Sequence, residues 1–508
     1  MTVPTAVLGA ALVAATIFRV LIHPLVVYFQ DPLGLREYPA PGRGLAGVTN
    51  LWNAYQVYRL RRYQIVHKAH LELGPVIRIQ PDHLSFNIPQ AAAQIYGHGS
   101  KMHKGDFYEI FRSAGGEENI VGTRSKEEHS RKRKMISAGF AMSNVVQMQA
   151  DIRKVIQEFL CVLDEQPKSV KRPALNLRVW MNLLTFDIIG VAGYGESMDF
   201  VRHGHDWAPA QSRDGKCNYA TQAIEPFHEV SVLESILGLW PEYLPTSRRL
   251  LWWTKPQQHG TAFIDMCIKK LRARLARGPT LAYKDLFGHY LTDRTGKEHK
   301  LPFEELVTES NVILNAGSDT TATAMTNILY LLIKHEEVMK KLRHELDSEL
   351  APDVLIPDYE QVKDLPYLKA CIEEGLRMRP PLSLGLPRKT VEETVIAGHT
   401  IKAGVTVSVP TWSLHHNPEL FPDPDNFWPQ RWLAADDDNL KRYVMPFSQG
   451  PRACLGRNLA YLEMLVIVPT LIRRYDFSFL DKDFELPALD RHVANPGDCL
   501  IRVARREE

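Results

Sequence analysis

The sequence contains the stretch Pro446-Phe447-Ser448-Gln449-Gly450-Pro451-Arg452-Ala453-Cys454-Leu455-Gly456, and a run with helical character from Arg457 to Leu465 follows it. A cysteine just before a helix lies among free backbone N–H donors and at the positive end of the helix dipole. Both features stabilise a thiolate, which is the form of cysteine that binds metal ions. Cys454 is therefore predicted to be a metal ligand, and Gly450 is predicted to permit a turn that a side chain would block.

The remaining cysteines give no sign of a disulfide framework. The chain has six cysteines, and they are scattered without a Cys-x-x-Cys pair. A lone cysteine is usually a small buried hydrophobic residue, and that is the expectation for Cys161, Cys217, Cys267, Cys371 and Cys499. This usage is typical of a protein in a reducing compartment.

The stretch around Cys454 resembles the haem-ligand pattern of the cytochrome P450 superfamily, Phe-x-x-Gly-x-Arg-x-Cys-x-Gly, at every defining position. The resemblance implies a haem b cofactor whose iron takes an axial thiolate from Cys454, the ligation that favours O–O cleavage. It also implies that Phe447 belongs to the haem-binding loop and that Arg452 binds a haem propionate. Two regions, about 119–145 and 383–412, resemble fungal microsomal members that depend on a reductase.

A second motif lies in the middle of a predicted helix from Pro302 to His335, which would be about 50 Å long at 1.5 Å per residue. The motif is Ala316-Gly317-Ser318-Asp319-Thr320-Thr321, and a glycine inside a helix costs about 1 kcal/mol relative to alanine. It resembles the oxygen-activation motif of the same family. The resemblance implies that Gly317 makes room for O2 and that Asp319 and Thr320 are catalytic and manage protons. The alternative for Thr320 is a hydrogen bond to the carbonyl one turn earlier.

Three further basic residues are implied to bind the haem propionates. The helix that begins near His129 resembles the family's Trp-x-x-x-Arg segment, with His129 in place of the tryptophan and Arg133 in place of the arginine. Arg388 follows a predicted pocket-lining segment, 382–387, and is implied to reach a propionate as well. The alternative for the first helix is a solvated basic face.

A predicted ion network braces the fold. Glu374 and Arg377 lie one turn apart on a predicted helix, so both charges share a face. The resemblance pairs them with Arg431, in a segment where Gln430 and Trp432 depart from the family's Pro-Glu-Arg-Phe pattern. The implied role of this buried network is structural.

The N-terminal residues predict a membrane anchor. An apolar run from Thr5 is interrupted by Arg19 and resumes to Phe29, which is long enough to cross a bilayer although Arg19 is unfavourable at its centre. We expect a single-pass anchor over residues 1–30, a proline-rich hinge over 31–47 and a haem-thiolate catalytic domain over 48–508. Arginines after the anchor place the catalytic domain in the cytosol, on the endoplasmic reticulum membrane. A cleavable signal peptide and a monotopic anchor are the alternatives.

The resemblance covers about residues 35–505 and implies a mainly α fold with a small β region. Within it, residues 75–79 and 83–87 predict a hairpin, and 395–409 predict a small sheet. Residues 203–260 are rich in aromatic residues. These either pack in the core or belong to the family's mobile region, which covers the pocket and dips toward the membrane.

The implied function is a monooxygenase that uses O2 and NADPH-derived electrons to hydroxylate a lipophilic small molecule. NADPH–cytochrome P450 reductase is the implied electron donor, with cytochrome b5 as a second one. The net charge of +2 gives no case for nucleic acid. We favour a substrate from fungal secondary metabolism, with a benzoate para-hydroxylase-like aromatic hydroxylase as the alternative. An isomerase or dehydratase of the same fold and a non-enzymatic haem sensor are further alternatives, and neither needs the pair Asp319 and Thr320.

Overall fold

Helices dominate the computed structural model, which describes residues 18–113, 115–165, 174–278, 285–293, 295–433 and 440–506. The α-helices, numbered in chain order, are α1 His23–Gln30, α2 Leu45–Val48, α3 Leu51–Tyr58, α4 Arg62–Leu73, α5 Pro89–Tyr96, α6 Lys126–Ile136, α7 Met142–Val145, α8 Gln149–Glu165, α9 Leu177–Tyr194, α10 Phe200–His203, α11 Ile224–Leu237, α12 Leu244–Leu250, α13 Lys255–Ala276, α14 Gly288–Leu291, α15 Phe303–Lys334, α16 Glu336–Glu349, α17 Tyr359–Val362, α18 Pro366–Met378, α19 Thr411–His415 and α20 Arg457–Arg474. Turns of 3₁₀-helix cover Asp106–Phe111, Val146–Met148, Pro241–Tyr243, Pro429–Trp432 and Gly450–Arg452, and a π-helical turn covers Phe18–Ile22.

The strands form several small sheets. They are β1 Val76–Gln80, β2 His83–Phe86, β3 His103–Lys104, β4 Leu175–Asn176, β5 Trp207–Gln211, β6 Asn218–Gln222, β7 Arg388–Lys389, β8 Thr394–Ile396, β9 His399–Ile401, β10 Thr406–Ser408, β11 Tyr475–Phe479, β12 Ala488–Arg491, β13 Val493–Pro496 and β14 Leu500–Arg505. The largest sheet has the order β1-β2-β10-β7-β3, in which only the β2–β10 pair is parallel. A second sheet has the order β11-β14-β4, and the hairpins β5–β6, β8–β9 and β12–β13 stand alone. The predicted mainly helical fold with a small β region is confirmed.

The long helix α15 forms the centre of the molecule. It runs for 32 residues and is buried along most of its length, including polar residues such as Glu309, Asp319 and Asn327. Its main neighbour is α9, which is also largely buried. The two helices belong to one hydrophobic cluster that also takes in α8, α18 and α20. The predicted helix over 302–335 is confirmed, within one residue at each end.

The predicted ion network is present and fully buried. The carboxylate of Glu374 accepts two hydrogen bonds from Arg377, both 2.9 Å long, and one of 3.0 Å from Arg431. It also accepts a bond of 2.9 Å from the indole N–H of Trp432. The residue that departs from the family pattern at position 432 therefore adds a donor to the network.

The predicted anchor, residues 1–30, is described only from Phe18 onward. Residues 1–17 lie outside the described residues, and none of the described helices is long and apolar enough to cross a membrane. The division into anchor, hinge and catalytic domain stays a prediction. Where the described chain begins, Arg19 donates to the hydroxyl of Tyr243 at 2.8 Å and to Glu242 at 2.9 Å.

The aromatic region 203–260 contains a hairpin that the sequence did not reveal. Strands β5 and β6 pair antiparallel and pack against α13, and helices α11 to α13 follow. The side chains of Trp252 and Trp253 are 70% and 64% exposed. Packing in the core therefore does not explain these two residues.

Candidate active site

The cysteine loop is a tight turn that holds Cys454 just before α20. The N–H of Cys454 donates to the carbonyl of Phe447 at 2.8 Å, which closes the loop on itself. Gly450 has a φ of 70°, and a side chain there would overlap the carbonyl oxygen of Tyr96. Both observations make glycine necessary at this position, as the sequence predicted.

The thiol of Cys454 faces an internal cavity and has donors behind it. Burial raises the pKa of the Cys454 thiol, while the N–H groups of Gly456 and Arg457 and the charge of Arg133 act in the opposite direction. These groups stabilise a negatively charged sulfur. A cation bound to the sulfur from the cavity side would complete the stabilisation.

The cavity above the cysteine has a volume of about 1600 Å³. Its walls come from α6, α9, α11, α13, α15, the cysteine loop and the turn between β12 and β13. All nine residues that the sequence singled out for the site line this one cavity: Cys454, Phe447, Arg452, Arg133, His129, Arg388, Gly317, Asp319 and Thr320. The structure therefore brings the predicted set together, and the individual roles stay predictions.

One wall of the cavity carries five basic side chains, which we call the basic cluster: Lys104, His129, Arg133, Arg388 and Arg452. Lys104 was not anticipated, because no motif marks it. Where these side chains donate hydrogen bonds, they donate to neutral acceptors. Arg452, for example, donates to the carbonyl of Thr123, and Arg133 donates to the carbonyl of Ala453. No ion pair joins any of the five to an acid within the described parts of the chain.

The basic cluster carries the electrostatic signature of a site for an anion. Burial, with repulsion from Arg452 and its neighbours, lowers the pKa of His129 to about 3. Burial and repulsion from Arg388 lower the pKa of Arg452 to about 10, and they hold the pKa of Lys104 well below its usual value. Buried charges need a partner of opposite sign. A flat group with two carboxylates and a metal ion within reach of Cys454 meets that need, so the residues present fit a haem.

The central helix contributes Gly317 for a reason that the sequence did not suggest. A Cβ at this position would lie 2.6 Å from Cδ1 of Ile189 on α9. Glycine is therefore required at least by the close packing of the two helices. Whether it also makes room for O2 stays a prediction.

Thr320 makes the hydrogen bond that was considered as the alternative. Its hydroxyl donates to the carbonyl of Ala316 at 2.8 Å, which is the bond one turn back along the helix. Because the proton is directed at that carbonyl, the lone pairs of the oxygen remain available on the cavity side. The hydroxyl can accept a hydrogen bond as it stands, and it can donate one into the cavity after rotating.

Asp319 has partners that sequence reasoning missed. Its carboxylate accepts from His228 at 2.8 Å and from the amide of Asn495 at 2.9 and 3.0 Å. His228 is separated from Asp319 by 91 positions, so no spacing rule connects the two. The only available signal was the presence of a histidine in the segment that was predicted to cover the pocket.

The turn between β12 and β13 places a strained histidine in the cavity wall. His492 has a φ of 83°, in the left-handed region that side chains rarely adopt. Its ring stacks on Phe107 and meets the edge of Phe111, with ring centroids 5.7 and 5.6 Å apart. His492 lines both the large cavity and a smaller one of about 310 Å³ beside it. This turn therefore faces the cavity with Arg491, His492 and Val493.

Comparison with known proteins agrees with this geometry. A family model described as Cytochrome P450 matches residues 41–497. Benzoate 4-monooxygenase bphA of Aspergillus niger is 33% identical over 95% of this chain and 96% of its own length. Cytochrome P450 monooxygenase poxC of Penicillium oxalicum is 31% identical over 93% and 87%, and Trichothecene C-15 hydroxylase of Fusarium sporotrichioides is 30% identical over 92% and 90%. Since the family model spans most of the chain and these relatives match it almost from end to end, the chain belongs to the cytochrome P450 family of haem-thiolate monooxygenases.

Proposed function

We propose that this monooxygenase hydroxylates a neutral, oxygen-bearing lipophilic molecule of fungal secondary metabolism. The observation that carries the proposal is the distribution of charge around the cavity. Among the cavity-lining residues that the structure describes, buried or half-buried cations without an acidic partner are confined to the basic cluster, next to Cys454. The opposite part of the cavity holds paired charges, amides and apolar side chains, together with the exposed Arg249.

The proposed haem site uses the cysteine loop and the basic cluster. Cys454 is the axial ligand, Phe447 belongs to its loop, and the basic cluster receives the two propionates. The haem supplies the iron on which O2 is activated so that one oxygen atom enters a C–H bond of the substrate. The protein's part is to hold the thiolate with backbone N–H donors and to neutralise the propionates.

Cys454→Ser tests this assignment. We expect the variant to lose the carbon-monoxide difference spectrum of a thiolate-ligated ferrous haem, because a serine oxygen is a poor substitute for the thiolate sulfur. Cys371→Ser is a control, since that cysteine is buried away from the cavity in α18. A thiolate-type spectrum in Cys454→Ser would contradict the assignment.

Protons for the reaction are proposed to pass through Asp319 and Thr320. Both line the cavity next to Gly317. The Thr320 oxygen accepts a hydrogen bond from a water molecule on the cavity side, and Asp319 supplies a proton to that water. Holding this water in place is what the hydroxyl adds, because a methyl group in its place cannot accept a hydrogen bond.

The part of the cavity opposite the basic cluster argues against a carboxylic acid as the substrate. A carboxylate that enters a buried site needs a cation to pair with it. Away from the basic cluster, the cavity is lined by further cations. Within the described residues, each one that is buried or half-buried already faces an acid, and two arginines with greater exposure, Arg112 and Arg213, also face acids. The pairs are Arg112 with Glu109 and Glu118, Arg124 with Asp106 and Glu109, Arg213 with Glu304, Arg248 with Glu234, and Arg491 with Glu225.

Neutral hydrogen-bonding groups occupy the same part of the cavity. Asn311 and Asn315 lie one turn apart on α15 and line the cavity, and their side chains are 3.2 Å from each other. Amides donate and accept with equal ease, so they suit a hydroxyl or carbonyl group. This favours a neutral oxygenated substrate over benzoate, the compound for which the Aspergillus niger relative is named.

Metabolite profiling tests the substrate class. We expect a deletion strain of the source organism to accumulate a neutral precursor, which microsomes that contain the full-length protein convert when NADPH is added. Substrate-induced changes of the haem spectrum give a second measure, in which a neutral ester is compared with its parent acid. Accumulation of benzoic acid, or tighter binding of the acid than of its ester, would contradict the proposal.

The electron donor is proposed to be NADPH–cytochrome P450 reductase, with cytochrome b5 as a second donor. Residues 1–30 are proposed to anchor the protein to the endoplasmic reticulum membrane, with the catalytic domain in the cytosol. The exposed side chains of Trp252, Trp253 and Phe29 support a membrane-facing surface, since aromatic residues favour membrane interfaces. Deletion of residues 1–28 should release much of the protein from microsomes with its haem. A full-length protein that resists protease on intact microsomes would contradict the cytosolic topology.

A further inference from the structure

The carboxylate of Asp319 is held on its far side from the cavity by a chain of polar groups. Oδ1 of Asp319 accepts from Nε2 of His228 at 2.8 Å and from the amide of Asn495 at 3.0 Å. Oδ2 accepts from the same amide at 2.9 Å. His228 is 2% exposed and Asp319 is 4% exposed. Besides the cavity that it lines, Asp319 can therefore receive a proton through one of these partners.

The other nitrogen of His228 has two possible partners. Nδ1 lies 2.8 Å from a guanidinium nitrogen of Arg491 and 3.8 Å from Oε2 of Glu225. The arginine suits a neutral ring, because it donates to the lone pair of Nδ1. The carboxylate suits a protonated ring, because it accepts from Nδ1–H. The surroundings therefore offer a partner for either state of the imidazole.

The chain of groups ends at the surface. The side chain of Glu225 is 51% exposed, and its Oε1 pairs with Arg178 at 2.7 Å. Arg178 also pairs with Asp498 at 3.0 Å, and Arg491 lies 3.6 Å from Glu225. Glu225, His228 and Asp319 thus form a connected path from solvent to the cavity, and two arginines and Asp498 flank it.

We propose that His228 acts through Asp319. It carries protons from Glu225 at the surface to Asp319 in the active site. The proposal rests on the monooxygenase function and specifies how its protons arrive. Nδ1 takes up a proton from solvent by way of the Glu225 carboxylate, and the Nε2–H proton passes to Oδ1 of Asp319. Asp319 then gives its proton to the water near Thr320. A half-turn of the ring restores the starting tautomer, so each cycle moves one proton and no electrons.

The charges around the path determine where the proton rests. Burial acts to lower the pKa of His228, but the carboxylates of Asp319 and Glu225 outweigh burial and the charge of Arg491, so the pKa is raised. Burial acts to raise the pKa of Asp319, but His228 and Asn495 outweigh it and the pKa is lowered. The hydrogen bond with His228 and the charge of Arg178 lower the pKa of Glu225 to about 2 despite partial burial. The proton thus rests on Nε2 of His228 rather than on Asp319, and its transfer to Asp319 is the uphill step of the path.

The competing explanation is that His228 only ties α11 to α15. His228→Gln separates the two, because glutamine can keep an N–H donor toward Asp319 but cannot carry a proton. We expect this variant to keep its haem content, while product formed per NADPH falls by about tenfold and hydrogen peroxide rises, since positioned proton transfer contributes a hundredfold or more. If His228→Gln formed as much product per NADPH as the wild type across pH 6 to 9, His228 would only connect α11 to α15 and the proposal would be overturned.

A matched control is a histidine that contacts an acid of α11 from another helix. His259 of α13 contacts Glu229 of α11 at 2.9 Å, without any link to Asp319. His259→Gln should leave coupling and its pH dependence unchanged. Glu225→Gln alters only the half-exposed end of the path, so it should fold even if His228→Gln does not. It should lower product per NADPH and shift its pH profile, and an unaltered profile would overturn the proposal.

A readout independent of activity follows from the raised pKa of His228. A histidine whose pKa is higher in the folded than in the unfolded state adds stability below the unfolded value, and this is lost as the pH rises through the folded value. The melting temperature of the wild type should therefore exceed that of His228→Gln most at low pH, with a difference that shrinks toward pH 9. A difference that does not vary with pH would overturn the proposal. Absence of oxygenated product from the wild type itself would instead contradict the proposed function.

Discussion

Replacing Glu374 with glutamine is expected to cause the largest loss of stability among single changes outside the active site. The carboxylate accepts two bonds from Arg377, one from Arg431 and one from Trp432, and none of these side chains reaches solvent. Glutamine keeps the shape but leaves two buried guanidinium groups without a negative charge. Removing one partner of a buried ion pair costs about 3–5 kcal/mol, out of a total free energy of unfolding of about 5–15 kcal/mol.

Two further variants turn this expectation into a graded test. Trp432→Phe removes one hydrogen bond to the charged carboxylate and keeps an aromatic ring, so it should cost about 1.5–3 kcal/mol. Glu337→Gln breaks an exposed pair with Lys340, which is separated by 2.8 Å, and should cause no measurable change. The order of stability should therefore be Glu337→Gln, then Trp432→Phe, then Glu374→Gln.

The assay combines haem content per polypeptide with unfolding followed by circular dichroism. Glu374→Gln should give little folded haem protein at 37 °C, because the predicted loss approaches the whole stability of the fold. Trp432→Phe should fold with a lower unfolding midpoint. If Glu374→Gln were as stable as Glu337→Gln, the network would contribute nothing and the reasoning from burial would be refuted.

Three other substitutions test the geometry around the cavity. Thr320→Ala should keep haem and substrate binding while it releases more hydrogen peroxide and less product per NADPH; full coupling would remove Thr320 from the proton path. Gly317→Ala in an Ile189→Ala background should raise stability by about 1 kcal/mol over Ile189→Ala alone, because Cδ1 and Cγ1 of Ile189, which would lie 2.6 and 2.8 Å from a Cβ, are gone and alanine favours the helix; a further loss of stability would show that something else requires the glycine. Gly450→Ala should yield little haem protein, since its Cβ would overlap a backbone carbonyl and its φ is 70°; normal haem content would contradict the rigidity of the loop.

The sequence predicted the parts of the fold that depend on local pattern. The helix over 303–334 follows from a long apolar periodicity, and the hairpin over 76–86 follows from alternation. The hairpin β5–β6 was missed although its connection contains the turn pair Asp214-Gly215, because its strands are short and Pro209 interrupts the first one. Its pairing is supported by packing on α13, which is a tertiary contact that local pattern does not contain.

In the site, too, the residues that the sequence predicted belong to local patterns, and the residues that it did not predict depend on tertiary contacts. Residues inside contiguous motifs, such as Cys454 and Asp319, were found at once. Lys104 and His228 were missed, because each enters the site through a contact between distant segments. The reason for Gly317 was also incomplete, since the neighbouring Ile189 belongs to another helix.

At His492, the backbone conformation and the position of the side chain favour different residues. Glycine would relieve the backbone, because a φ of 83° is unfavourable for any residue with a Cβ. Glycine would also remove the ring that stands between Phe107 and Phe111 and borders both cavities. A sequence optimised only for folding would therefore lose a side chain that lines both cavities. Stability engineering of this enzyme should leave position 492 alone, and a search for broader substrate acceptance should begin there.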